Sequence, residues 1–205
     1  MDRVSGFLQG QLTGRSRIAL VIAAGILIPS IFLPVWTITL NAPQYPGGLE
    51  VVVYPHTVAG QLDEVNLLNH YIGMHEISAD EFPEFRFIPF FILRFAAFGL
   101  LAALIGRMTF AALGYLDFVL FGAVMLYIFQ HWLTDFGTNL SSSAPINLDP
   151  FVPKFLGTTQ VAQFSVSSWP AVGGILMLVA GLLGPLIAVL EWRRFSRASA
   201  AGTGS

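Results

Sequence analysis

The chain has 205 residues, 55% of them hydrophobic and 11% charged, with a net charge of −2 and no cysteine. An ordinary soluble domain carries about 25% charged residues, so the composition excludes a soluble globular protein. The near-neutral charge offers nothing to nucleic acid, and the lack of thiols excludes disulfide staples and thiolate metal sites.

Residues 1–16 are polar and read as a cytoplasmic N-terminus. Residues 17–40 form the first long apolar run (TM1) and carry Pro29, Pro34 and Trp36. The run is too long for a signal-peptide core and is expected to remain as an anchor. Residues 41–86 follow as the first extracytoplasmic loop. Within it, LEVVVY (49–54) reads as a strand because of its β-branched content. Residues 63–76 have helical spacing, with Asp63 able to cap the start. Residues 87–106 form TM2 and 109–131 form TM3, joined by a turn so short that they make an antiparallel hairpin. Residues 132–169 form the second extracytoplasmic loop, with weak alternation over 158–168 that suits a strand. Residues 170–192 form TM4, with Gly173, Gly174, Gly181, Gly184 and Pro185, and 193–205 form a tail expected to be disordered beyond Arg197.

Each of the four runs is long enough to cross about 30 Å of hydrocarbon as a helix. Arg3, Arg15, Arg17, Arg107, Arg193, Arg194 and Arg197 flank them on one side, and the two long loops hold only Arg86 and Lys154 as bases. Lys and Arg favour the cytoplasmic side. The expected protein is therefore all-α and multi-pass, in an inner (cytoplasmic) membrane with both termini cytoplasmic. Four transmembrane helices are expected, with a small extracytoplasmic cap of two long loops and some short β-structure.

The stretch Asn69-His70-Tyr71-Ile72-Gly73-Met74-His75-Glu76 is the leading candidate for chemistry. On a helix, His70 and Met74 share a face, and imidazole with thioether suits copper. His75, His56 and His131 are the further candidate ligands. The alternative is that Met74 fills core and the histidines sit at an interface. His131 and Asp135, with Tyr127 and Gln130 beside them, form a polar patch: a ligand or proton-handling pair, or a helix-end hydrogen bond. Arg94 and Asp117 are charges inside the spans, roughly 18 Å and 12 Å from the inner ends of TM2 and TM3. An intramembrane acid and base read either as a structural clamp or as part of a proton or ion path. There is no hydrolase elbow, P-loop or dinucleotide fingerprint in a credible context.

Two sets of motifs carry a resemblance. APQYPGGL (42–49) with NHYIGM (69–74), and DFGTNL (135–140) with API (144–146), resemble a family of small bacterial membrane proteins. The genes of that family neighbour those of nitrous oxide reductase accessory proteins such as the NosL copper chaperone. Phe155-Leu156-Gly157 and Ser168-Trp169-Pro170 continue the match more loosely. Thr138 stands where the family has histidine, and its Gly-Met after API is absent around Phe151–Lys154. The resemblance implies extracytoplasmic copper handling with His70 and Met74 in matching positions. The expected function is a non-catalytic accessory protein that binds copper or delivers it to a copper enzyme or chaperone. Its surroundings would be membrane lipid and a protein partner, not nucleic acid. The rivals are a structural subunit of a larger membrane complex, and a transporter subunit using Asp117 and Arg94.

Overall fold

Proline stops the first apolar run from being one helix. A computed structural model describes residues 3–161 and 164–202. After a short helix α1 (Arg3–Leu8), helix α2 spans Gly14–Ser30 with Pro29 in its last turn. Pro34 follows, and from Trp36 the chain is extended as strand β1 (Trp36–Ala42). The segment Trp36-Thr37-Ile38-Thr39-Leu40 alternates large apolar residues with threonine, a two-residue period that belongs to a sheet. At 17 residues α2 rises only about 25 Å, short of a bilayer core.

Strands β2 (Tyr45–Tyr54) and β3 (Thr57–Gly60) follow β1. Helix α3 is Leu62–Ile72, and two single-turn 3-10 helices, Ala79–Glu81 and Pro83–Arg86, lead to helix α4, Ile88–Ile105. Helix α5 is Met108–Thr138. Strands β4 (Gly157–Val161) and β5 (Phe164–Pro170) precede helix α6, Val172–Gly202. The stretch expected as one strand over 158–168 is thus a hairpin, and the expected disordered tail is helical through Gly202.

The expected all-α, four-span architecture is overturned. The chain is mixed, with six α-helices and a five-stranded antiparallel sheet of order β3-β2-β1-β5-β4 among the described residues. The physical reason is that β1, the central strand, is hydrophobic enough to read as part of a span in a hydropathy window. Among the described residues three helices are long and apolar enough to cross a membrane: Ile88–Ile105, Met108–Thr138 and Val172–Ala200. The protein is a membrane protein on that basis.

The chain divides into two compact units. The sheet unit comprises Ile31–Pro89 and Ala123–Ile175. In it β1 pairs with β2 (Ile38 opposite Val51, Leu40 opposite Leu49) and with β5 (Ile38 opposite Ser168, Leu40 opposite Val166). Paired residues share a face. Ile38, Leu40, Leu49, Val51 and Val58 pack with Val65 and Leu68 of α3 and with Ile77, Phe82 and Phe85. The opposite face carries Thr37, Thr39, Glu50, Thr158, Ser165 and Ser167, a polar surface of the kind one-sided antiparallel sheets present. Both long connectors contribute strands to this one sheet.

The helical unit comprises Met1–Ser30, Phe90–Gly122 and Leu176–Ser205. Its core is Leu12, Ala102, Met108, Ala111 and Ile187. At one end Leu12 N donates to Gly106 O at 2.8 Å and Met108 N to Gly10 O at 3.0 Å, which ties the N-terminal segment to the α4–α5 turn. Glu191 Oε1 accepts from Thr13 N (2.8 Å), Thr13 Oγ1 (2.6 Å) and Ser16 Oγ (2.5 Å). This buried carboxylate satisfies donors at the start of α2, where backbone N–H groups lack helical partners. Small residues on four helices, among them Ala24, Gly99, Ala111 and Gly184, leave an apolar cavity of about 190 Å³.

Candidate functional site

The motif NHYIGM folds as a hook at the end of α3. Gly73 takes a left-handed conformation (φ 78°), which ends the helix at Ile72. His70 therefore lies on the helix and Met74 beyond it, so the four-residue spacing no longer sets them on one helical face. Two asparagines lock the hook. Asn69, buried, donates from Nδ2 to His75 O at 3.2 Å and accepts Met74 N at its backbone carbonyl at 2.9 Å. Asn66 meets Ile77 twice, donating from Nδ2 to its O (3.0 Å) and accepting its N–H at Oδ1 (2.8 Å).

The second connector closes on the hook. Ser141 N donates to Gly73 O at 2.8 Å, and Ile146 N donates to Tyr71 O at 3.0 Å. A side chain at Gly73 would meet Ser141 O and the Ala144 methyl at 2.8 and 3.0 Å. Phe151 N donates to Gly137 O at 2.9 Å, and a Cβ at Gly137 would collide with Phe151 O. Of the residues that carry the resemblance, Gly73, Ala144 and Ile146, with Ser141 beside them, thus lie at the seam between the two connectors, and Gly137 packs within the second. Glycine at 73 and 137 follows from this close approach.

An aromatic group lies beside the seam. Phe82 packs on Trp132 and Phe136, with centroids 4.9 and 6.1 Å away, and the His75 ring meets Phe136 edge-on at 6.3 Å. Trp132 Nε1 donates to Glu84 Oε1 at 3.4 Å, while Glu84 Oε2 is buried with no hydrogen-bond partner among the described residues. A second group joins Trp36, Phe129 and Phe155, where Trp36 Nε1 donates to Ser168 Oγ (2.7 Å) and Ser168 Oγ donates to Phe155 O (3.0 Å).

The candidate ligands are spread along the chain: His70 on α3, Met74 and His75 just after it, His56 between β2 and β3, and His131 on α5. His70, His75, His56 and His131 are exposed and Met74 is half-buried. His56 Nδ1 lies 3.2 Å from Ile31 O, with its ring 5.8 Å from Tyr54. Among the described residues no group of three His, Cys, Asp or Glu side chains could hold a metal ion together. What the hook does present is His70, Met74 and His75 within six residues of rigid backbone.

Helix α5 runs on through Thr138, so His131, Asp135 and Tyr127 all lie on it. Asp135 O accepts Asn139 N at 2.9 Å, and Gln130 Nε2 donates to Thr134 Oγ1 at 3.4 Å. Among the described residues no hydrogen bond or ion pair joins His131 to Asp135, and Tyr127 is 74% exposed. In the helical unit Arg94 and Asp117 do meet, Nη2 to Oδ2 at 2.7 Å. The Arg94 guanidinium stands 4.9 Å from each of the Phe91 and Phe95 ring centroids.

Charge is sharply divided. The sheet unit holds nine acids (Glu50, Asp63, Glu64, Glu76, Asp80, Glu81, Glu84, Asp135, Asp149) against Arg86 and Lys154, a net of −7. The helical unit holds eight arginines against Asp2, Asp117 and Glu191, a net of +5, and the two nets sum to the chain's −2. Both ion pairs among the described residues, Arg94–Asp117 and Arg194–Glu191, belong to the helical unit. Among the described residues the sheet unit's carboxylates have no basic side chain within pairing distance. From the sequence Asn66, Asn69 and Gly137 were legible only as members of motifs, without the hydrogen bonds and close contact they make; an asparagine pair three residues apart at a helix end, followed by glycine, is the signal that was there to be read. No family model matches the chain, and no curated protein matches it.

Proposed function

We propose that the protein is a non-catalytic subunit of a membrane assembly whose sheet unit docks a cationic partner protein. The observation that carries this is the sheet unit's net charge of −7, with no ion pair among its described residues. A surface of one sign raises the arrival rate of an oppositely charged partner and repels the wrong ones. The hook locked by Asn66 and Asn69, with the seam closed at Gly73, supports the reading, because an ordered surface loses little entropy on docking.

Orientation follows from the arginines. Arg107 in the α4–α5 turn and Arg193, Arg194 and Arg197 on α6 favour the cytoplasmic side of a bacterial inner membrane. The N-terminal segment shares that side through Leu12 and Gly106. The first connector precedes α4 and the second follows α5, so the helix pair returns both to the same, extracytoplasmic, compartment.

The test is purification in mild detergent at low ionic strength, followed by a salt series. A stoichiometric partner is expected to be retained at low salt and released toward 1 M, where the Debye length falls to about 3 Å. The fourfold variant Asp63→Asn, Glu64→Gln, Asp80→Asn, Glu81→Gln should release it at low salt. Retention unchanged in that variant, or no partner at any ionic strength, overturns the reading.

A second reading is copper handling, favoured by the hook. His70, Met74 and His75 combine imidazole with a soft thioether, a donor set that suits Cu(I), and the acidic surroundings attract cations. The resemblance to the family beside the NosL chaperone genes points to a copper chaperone or copper enzyme as the partner. In that case purified protein loaded with Cu(I) should hold about one equivalent, lost in both His70→Ala and Met74→Ala. Metal-free protein after loading, or variants that bind as much copper as the parent, sinks it.

A further inference from the structure

We propose that the face of the helical unit bearing Arg94 and Asp117 is the contact surface for a second copy of this chain, the two ion pairs closing into a ring of four charges. The proposal stands independently of the docking function of the sheet unit.

Arg94 is eleven residues before the end of α4 and Asp117 nine residues after the start of α5. At 1.5 Å per residue both lie near the middle of a bilayer, about 16 and 14 Å from their shared turn. Yet the side chains are 37% and 42% exposed. Lipid tails supply neither donors nor acceptors at that depth, and an intramembrane charge normally faces protein or a water-filled cavity. Within the unit the guanidinium is covered on one side by Phe91 and Phe95. One of its N–H groups is bonded to Asp117 Oδ2, and Nε is buried without an acceptor. The outward N–H groups and the second carboxylate oxygen have no partner among the described residues. The surrounding exposed residues are apolar: Phe90 and Ala97 lie one turn either side of Arg94, and Leu113 and Leu120 one turn either side of Asp117.

Whatever covers this face must bring a positive and a negative group together, at matched depth, in an apolar frame. A second copy does so by symmetry. Since the two residues sit at nearly equal depth, the line from Arg94 to Asp117 runs across the membrane normal. A twofold axis along the normal reverses that line, so each Arg94 faces the other copy's Asp117. Such an interface is self-complementary, as twofold contacts must be, and interhelical polar bonds are a known source of association in lipid.

The native chain has no cysteine, so single-cysteine crosslinking has no background. Full-length Ala97→Cys and Leu120→Cys proteins in native membranes, treated with a short bifunctional maleimide, should each give a band at twice the chain mass. Leu182→Cys on α6, 68% exposed, should give none. Adding Arg94→Asp or Asp117→Arg should abolish the band. Co-expressing those two variants should restore it as a mixed dimer, because one copy then offers two carboxylates and the other two guanidinium groups. That rescue separates a contact role from simple misfolding. Crosslinks to a protein of different mass, a band equally strong from Leu182→Cys, no band from either reporter in the otherwise native chain, or no mixed-dimer rescue would overturn the proposal.

Discussion

Replacing Gly73 by alanine tests whether the seam holds the sheet unit together. The residue sits at φ 78°, where a Cβ costs roughly 1–2 kcal/mol. The added methyl would also stand 2.8 Å from Ser141 O and 3.0 Å from the Ala144 methyl. Forcing such contacts apart costs about 1–3 kcal/mol more. The sum, about 2–5 kcal/mol, is a large part of the ~5–15 kcal/mol that holds a domain folded. Hydrogen exchange reads it locally, through the amides of Ser141 and Ile146 that donate to Gly73 O and Tyr71 O. At about 1.4 kcal/mol per factor of ten, their protection should fall by about 30-fold or more. Gly122→Ala is the control: it meets nothing within 4 Å and should leave these amides unchanged. If the Gly73→Ala amides keep protection within about threefold of the parent, where 0.65 kcal/mol is the corresponding limit, the seam carries no such energy and the argument fails.

Three further outcomes are expected. Ser168→Ala leaves the Trp36 indole N–H and the Phe155 carbonyl without partners; the sheet unit should lose about 1–3 kcal/mol, read by urea unfolding through Trp36 fluorescence, with Ser165→Ala on the polar face as the mild comparison. Glu191→Ala strips the acceptor from Thr13 and Ser16; exchange at residues 13–17 should rise by at least about tenfold, since hydrogen bonds to a charged group are worth about 1.5–3 kcal/mol, while the sheet unit's exchange stays as it was. A Cβ at Gly184 collides with the Tyr115 ring; Gly184→Ala should lower the detergent melting temperature, and Tyr115→Ala in the same chain should recover most of the loss, whereas additive losses would mean the two do not meet.

The hinge of the fold was partly visible in residues 29–42. Pro29 and Pro34 signalled a break, but the apolar sum across 17–40 outweighed them, and the alternation from Trp36 to Leu40 passed unnoticed. A strand in the middle of a sheet is flanked by neighbours on both edges and can be nearly as apolar as a span, so hydropathy by itself does not tell the two apart. The LEVVVY strand and helix α3 were legible because their periods are local, although Gln61, not Asp63, precedes the helix and Gly73 ends it early. The hairpin over 157–170 blurred into one weak strand, since its register depends on β1, more than a hundred residues earlier. At the candidate site, His70 and Met74 were paired by helical spacing, and Gly73 broke the spacing between them.

The sequence by itself determined the solvent: hydrocarbon for the long apolar helices, and a basic end set apart from acidic connectors. It also determined the Arg94–Asp117 pairing, because a short turn forces α4 and α5 side by side. Tertiary structure decided that β1 is a strand, that both connectors build one sheet, and that Gly73, Ala144 and Ile146 meet where the connectors close on each other. Composition acts additively along the chain and can be read locally. Strand pairing and close backbone approach depend on residues far apart in sequence, whose meeting no local pattern records.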